Sequence, residues 1–162
     1  MEHLVTDSPI GPLTLVGTDG VVTGLYFPNH WTRPDRTAFG ERDDTAFPEA
    51  VRQLKEYFAG QRTSFDVPMQ ANGPGFDRSV WTEIAKIPYG TTATYGKLAQ
   101  SVAGLPHEVG AAVGRNPLSI LVACHRVVGK NGKLTGYAGG LKRKEFLLEL
   151  ERPPAAERGE LW

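Results

Sequence analysis

Two runs rich in β-branched and aromatic residues, 12–17 and 21–27, flank Thr18-Asp19-Gly20, and this pattern predicts a hairpin turning on Asp-Gly. Residues 28–44 are dense in Pro, Arg, Asp and Gly and predict an exposed loop. From Phe47 the apolar positions return at helical spacing through Val51, Leu54, Tyr57 and Phe58, until Gly60 stops them. One helix should therefore cover the sheet. Phe65-Asp66-Val67-Pro68-Met69 reads as a short last strand, and Asn72-Gly73-Pro74-Gly75 is the clearest break, dividing the chain into 1–72 and 73–162.

Beyond the break the pattern changes to short helices. Phe76, Val80, Trp81 and Ile84 share one face of a helix that ends before Pro88-Tyr89-Gly90. Thr94 can cap a second helix bearing Tyr95, Leu98, Ala99 and Val102, and Gly104-Leu105-Pro106 separates it from a third bearing Val109, Ala112 and Val113. Two short helices joined by a glycine-containing turn form a helix-turn-helix pattern, whose second helix would enter a DNA groove. Any small helical domain offers such pairs, so the pattern alone is weak. Val127 to Leu134 predicts a hairpin on Asn131-Gly132, placed as a wing beside the pair. Tyr137-Ala138-Gly139-Gly140 is a loop where backbone can approach a ligand closely, residues 141–151 form a closing helix stopped by Arg152-Pro153-Pro154, and the last eight residues read as a frayed tail.

Composition adds exclusions. With 162 residues, 40% apolar and 22% charged, the chain is long enough for a real core. A single cysteine forbids an internal disulfide and any zinc site built from several thiolates, and His3 and His30 are too isolated to suggest a ligand cluster, so no metal is expected. The N-terminus lacks the order of a signal peptide and no stretch approaches a membrane span, so a cytoplasmic location is expected. Eighteen basic and eighteen acidic residues cancel, yet from Lys86 to Arg152 ten Lys and Arg face four acids. That asymmetry suggests a basic working face on the C-terminal part.

The candidate chemistry sits at Ala123-Cys124-His125-Arg126-Val127-Val128-Gly129, behind a turn at Asn116-Pro117 and the apolar run 118–123. By itself a lone cysteine after such a run reads as a buried small hydrophobe. With an imidazole and a guanidinium beside it, the same thiol reads as a nucleophile with a base and a positive charge that would lower its pKa.

Taken together these motifs resemble the O6-alkylguanine-DNA alkyltransferases, the methylated-DNA–protein-cysteine methyltransferases. The resemblance rests on Cys-His-Arg-Val at 124–127, Gly-Tyr-Ala-Gly-Gly at 136–140, Phe-Leu-Leu-Glu-Leu-Glu at 146–151, Ile-Pro-Tyr-Gly at 87–90, Thr-Tyr-Gly-Lys-Leu-Ala at 94–99 and Asn116-Pro117. With Asp-Ser-Pro-Ile-Gly-Pro-Leu at 7–13 and Tyr-Phe-Ala-Gly at 57–60 it covers nearly the whole chain. It implies an α+β protein: an N-terminal ribonuclease H-like sheet-and-helix domain followed by a C-terminal winged helix-turn-helix domain holding the site. It also implies a reaction, in which the cysteine takes an alkyl group from O6 of a damaged guanine in one displacement and keeps it, with no cofactor. The partner is alkylated DNA, double- or single-stranded, met by a monomer, with cooperativity along DNA left open.

The roles implied are Cys124 as alkyl acceptor, His125 as base, Glu151 as the carboxylate that orients it, Asn116 as brace of the turn and Tyr95 as proton donor to the leaving guanine. In an extended segment neighbouring side chains diverge, so direct contact from His125 to Cys124 is not expected, and the resemblance implies a bridging water between them. Tyr137, Gly139 and Gly140 would wall the base pocket; His107, Val109 and Ala112 on the third helix, with Arg126, would serve substrate and DNA. The purine must be flipped out of the duplex to reach the thiol. Three positions depart from the family pattern: His107 stands where it has an arginine finger, Glu108 replaces a small residue, and Ala123 replaces a proline. The rival reading is a non-enzymatic alkyltransferase-like protein that binds alkylated DNA and signals to other repair factors; such proteins typically lack the cysteine, which argues against it here.

Overall fold

The computed structural model describes residues 1–30 and 34–152; the expected C-terminal tail lies outside them. The Asp-Gly hairpin forms between β2 (Leu13–Thr18) and β3 (Val21–Tyr26), and both Asp19 and Gly20 adopt positive φ, as a two-residue turn between twisted strands requires. The first strand of the sheet, β1 (Glu2–Thr6), was not foreseen; it pairs antiparallel with β2 from Glu2↔Gly17 to Thr6↔Leu13. A two-residue strand, β4 (Glu41–Arg42), joins β1 in parallel, giving the order β3-β2-β1-β4.

Leu4, Leu13, Leu15, Val22 and Leu25 turn inward beneath α1 (Pro48–Phe58), whose Ala50, Leu54 and Tyr57 are buried against them. Pro48 opens this helix at a position where its missing N–H costs nothing. The segment 28–44 is not simply exposed loop. Asp35 caps a turn at Arg36–Phe39 that seats Phe39 flat on Tyr26, with ring centroids 5.8 Å apart, and closes the other face of the sheet. Phe65–Met69 makes only a single bridge, Met69 to Val22. Pro68 accepts from Val22 N but has no N–H to return, so the ladder cannot extend.

The second half packs α2 (Gly75–Ile84), α3 (Tyr95–Val102) and α4 (Pro106–Gly114) together, and Trp81 Nε1 donates to Ala112 O at 2.8 Å between α2 and α4. Thr94 caps α3 through Lys97 N, as its side chain predicts. The wing is smaller than expected. Asn131 and Gly132 take the left-handed turn and Gly129 N donates to Lys133 O, but β6 (Val127–Val128) pairs instead in parallel with β5 (Ala93–Thr94). Pairing there buries both valines, which a solvent-exposed hairpin would not. The closing helix α5 (Leu141–Glu151) returns beside the cysteine turn. The fold is therefore α+β, a sheet with one helix followed by a helical half. Among the described residues no helix is long and apolar enough to cross a membrane.

Candidate active site

The sole cysteine sits at the end of a turn held against its own preference. Leu121 N donates to Ser119 O at 2.8 Å around Ile120, whose φ of 70° is a rare conformation for a β-branched residue. Cys124 N then donates to Val122 O at 2.7 Å around Ala123, at φ −78° and ψ 63°, the relaxed three-residue turn. Residues 118–123 are therefore folded rather than extended, and Cys124–Arg126 begin a short 3-10 turn. Backbone at Ile120 costs on the order of 1–3 kcal/mol, which the surroundings must offset. Asn116 does so from inside, with Nδ2 donating to Val122 O at 2.9 Å and Oδ1 accepting from Leu118 N at 3.0 Å. Leu25 N donates to Pro117 O at 2.8 Å, so the N-terminal sheet holds the same turn from outside. Ala123 keeps a φ that proline would impose, so the missing ring does not change the geometry beside the nucleophile.

Glu151, the last residue of α5, is the hub. Its Oε2 accepts from His125 Nε2 at 2.7 Å, Arg126 Nη2 at 3.0 Å and Tyr57 OH at 2.5 Å, while Oε1 accepts Arg126 Nε at 2.7 Å. Burial pushes this carboxyl up, but the hydrogen bonds of His125 and Arg126, with that of Tyr57, outweigh it and hold the pKa at about 2. Since a carboxylate can only accept, His125 Nε2 must carry the hydrogen and Nδ1 is left as the bare lone pair. Nδ1 is buried with no protein partner. Burial lowers the imidazole pKa against the pull of Glu151, so His125 is neutral, in the tautomer of a base.

The thiol is not a preformed thiolate. Burial pushes Cys124 up, and what pulls it back is the Asn116 amide, the charge of Lys144 and the Tyr137 hydroxyl beside it. Arg126 does not play the part expected of it, either beside the thiol or against substrate. It is buried, with Nη1 on Ile87 O at 2.7 Å and the rest of its fork on Glu151. Lys144 supplies the charge instead. Fully buried, it donates to Val127 O and Thr135 O at 2.5 and 3.1 Å, and loss of solvent lowers its pKa to about 8.

A cavity of about 470 Å³ lies beside this centre, lined by Tyr95, His107, Gly110, Thr135, Tyr137 and Ala138, among others. Tyr95 OH donates to Gly136 O at 3.4 Å, and burial raises its pKa, keeping the phenol a proton donor. Thr135 Oγ1 and Tyr137 OH are buried polar atoms of this wall, with Thr135 beside the Tyr95 hydroxyl and Tyr137 beside the Cys124 thiol and Ser119. His107 is exposed at the rim. Gly139 and Gly140 lie on the neighbouring side, lining a second cavity with Ile10 and Phe146; a Cβ on Gly139 would come within 2.3 Å of the Phe27 ring. Val109 and Ala112 are fully buried. They are the core face of α4 and cannot touch DNA. Glu108 turns its carboxylate back to accept from Leu105 N at 3.1 Å, which accounts for an acid at this helix start. Arg115, two turns further along, forms a bidentate pair with buried Asp77, at 2.6 and 2.8 Å.

With this geometry in place, the similarity to known proteins is specific. Residues 75–153 match the model of the 6-O-methylguanine DNA methyltransferase DNA binding domain, and residues 1–71 that of its ribonuclease-like domain. The chain belongs to the 6-O-methylguanine DNA methyltransferase family. It is 48% identical over 154 residues to the methylated-DNA–protein-cysteine methyltransferase of Mycolicibacterium paratuberculosis, covering 94% of this chain and 93% of that protein. It is 45% identical over 157 residues to the protein of the same name from Methanosarcina acetivorans, covering 93% and 98%. The crystal structure of Mycobacterium tuberculosis OGT in complex with DNA superposes with a TM-score of 0.89 at 46% identity, covering 93% of each chain. In family terms the structure brings Cys124, His125, Asn116 and Glu151 together and places Tyr95, Tyr137 and His107 around the adjoining cavity.

Sequence reasoning missed Tyr57, Thr135 and Lys144. Lys144, Leu147 and Glu151 fall on one face of α5, all buried, so the spacing did carry a signal for the lysine. No local pattern ties Tyr57 to an acid 94 residues away.

Proposed function

We propose that this protein repairs DNA by moving an alkyl group from O6 of guanine to Cys124, one group per molecule. The observation that carries the reading is a buried lone thiol held by Asn116, Lys144 and the cavity-lining Tyr137, next in sequence to His125, which Glu151 fixes with its Nδ1 left bare. His125 takes the thiol proton through one water, and the carbon–sulfur bond forms as the carbon–O6 bond breaks. The electron pair of the broken bond stays on guanine, and Tyr95 supplies a proton to the leaving base. The thioether retains no proton to recycle, and an uncharged sulfide does not release its alkyl group to water, so turnover ends. The two halves divide near Asn72-Gly73, and the protein acts as a cytoplasmic monomer on single- or double-stranded alkylated DNA.

Intact-protein mass spectrometry after incubation with O6-methylguanine DNA tests this. We expect one methyl group on Cys124, restored guanine and no second turnover. A protein that binds the DNA yet keeps its original mass after prolonged incubation would replace this reading with the non-enzymatic, damage-signalling one.

A further inference from the structure

The N-terminal tip of α4 carries an apolar surface that the chemistry above does not use. Leu105, its N-cap, is 56% exposed. Phe76 of α2, itself partly exposed, lies under the neighbouring Gly104, where a Cβ would come within 3.0 Å of the ring. Pro106 continues the patch and, with His107, reaches the rim of the cavity lined by Tyr95 and Tyr137. The tip is also rigid. Leu105 N donates to Glu108 Oε1, Leu105 O accepts from Val109 N at 3.0 Å, and Trp81 pins α4 to α2.

Resting on the alkyl-transfer reading of that cavity, we propose that Leu105 is the wedge that enters the base stack when the target guanine leaves it. An extruded base leaves an apolar gap between its stacked neighbours, and proteins that open base steps fill such gaps with leucine, phenylalanine, methionine or proline. Leu105 is already ordered, needs no hydrogen-bond partner and stands one residue from the cavity rim. His107, on the first turn of α4, lines the cavity itself, which on this reading sets it against the base rather than the stack. A leucine wedge thus does apolar work where relatives use a charged side chain.

The test compares wild type, Leu105→Ala, Leu105→Met and His107→Ala on three substrates: a duplex carrying O6-methylguanine beside 2-aminopurine, the same single strand, and free O6-benzylguanine. Leu105→Ala should slow transfer from the duplex by roughly 10-fold or more, the worth of one buried leucine side chain, with both other rates unchanged. Leu105→Met should restore the duplex rate, and His107→Ala should leave the ratio of duplex to single-strand rates nearer that of wild type. The 2-aminopurine fluorescence that reports unstacking should rise with wild type and Leu105→Met but not with Leu105→Ala. Leu105→Ala slowing all three substrates alike, or none, would overturn the proposal, as would a selective duplex loss in His107→Ala alone. Because the fluorescence needs no transfer, unstacking that depends on Leu105 without any alkylation would overturn the transfer reading and support the wedge.

Discussion

Replacing Glu151 with glutamine tests the hub and the base at once. The carboxylate receives only donors, so an amide must set its NH2 against Arg126 Nε in one orientation, or against Tyr57, His125 and Arg126 Nη2 in the other. It also strips buried Arg126 of its counter-charge. The fall of the Glu151 pKa from 4.5 to about 2 corresponds to about 3 kcal/mol of stability. That agrees with the ~3–5 kcal/mol typical of breaking a buried ion pair from one side. The folded pKa lies below the unfolded one, so this stabilisation is complete above about 4.5 and disappears as pH falls through about 2. By about pH 3 some 2 kcal/mol of it should be gone. Urea denaturation of wild type and Glu151→Gln should therefore show a gap of about 3 kcal/mol near pH 6 that narrows to about 1 near pH 3, since all other carboxyls cancel in the difference. Methyl transfer by the folded variant should slow on the order of 10²-fold or more, with His125→Ala slower still. A stability gap that does not change with pH, or equal transfer rates, would refute the hub.

Lys144→Met should slow transfer, because the thiolate loses the buried charge that lowers its pKa. The wild-type lysine titrates at about 8 when folded, so it binds fewer protons than the unfolded chain and stability should rise from about pH 8 to about pH 10.5 by up to ~3 kcal/mol. Denaturation curves across that range should show the rise in wild type relative to Lys144→Met; a constant difference would mean the ammonium is well solvated. DNA affinity should fall with salt. Of the ten basic residues between Lys86 and Arg152, Arg126 and Lys144 are buried and Arg115 is paired, but Lys97, Lys130, Lys133 and Lys142 are exposed. Four phosphate contacts would give a slope of log affinity against log salt of about −3 to −4. A salt-independent affinity measured by fluorescence anisotropy would place these lysines away from DNA.

Much of this protein could be read before any coordinate was known. Short-range rules carry their own cause: Asp19-Gly20 turns a hairpin because both residues tolerate positive φ, and Thr94 caps a helix because its oxygen satisfies a free amide. The Cys-His-Arg cluster likewise announced its chemistry by residue type. What remained hidden was every choice made across long distances. Whether Arg126 meets substrate or a carboxylate depends on where α5 ends, and the packing puts Glu151 within reach of it, of His125 and of Tyr57 from the other half. The Val127-Val128 pair could have laddered with its own hairpin, but Ala93-Thr94 offers burial that the exposed turn does not. Val109 and Ala112 fit either a groove or a core by composition alone, and only the positions of α2 and α3 turned them inward. Local sequence sets which conformations and reactions a residue can support; the tertiary fold, by deciding which distant groups share one buried volume, selects among them, because hydrogen bonding and desolvation act only between groups brought into contact.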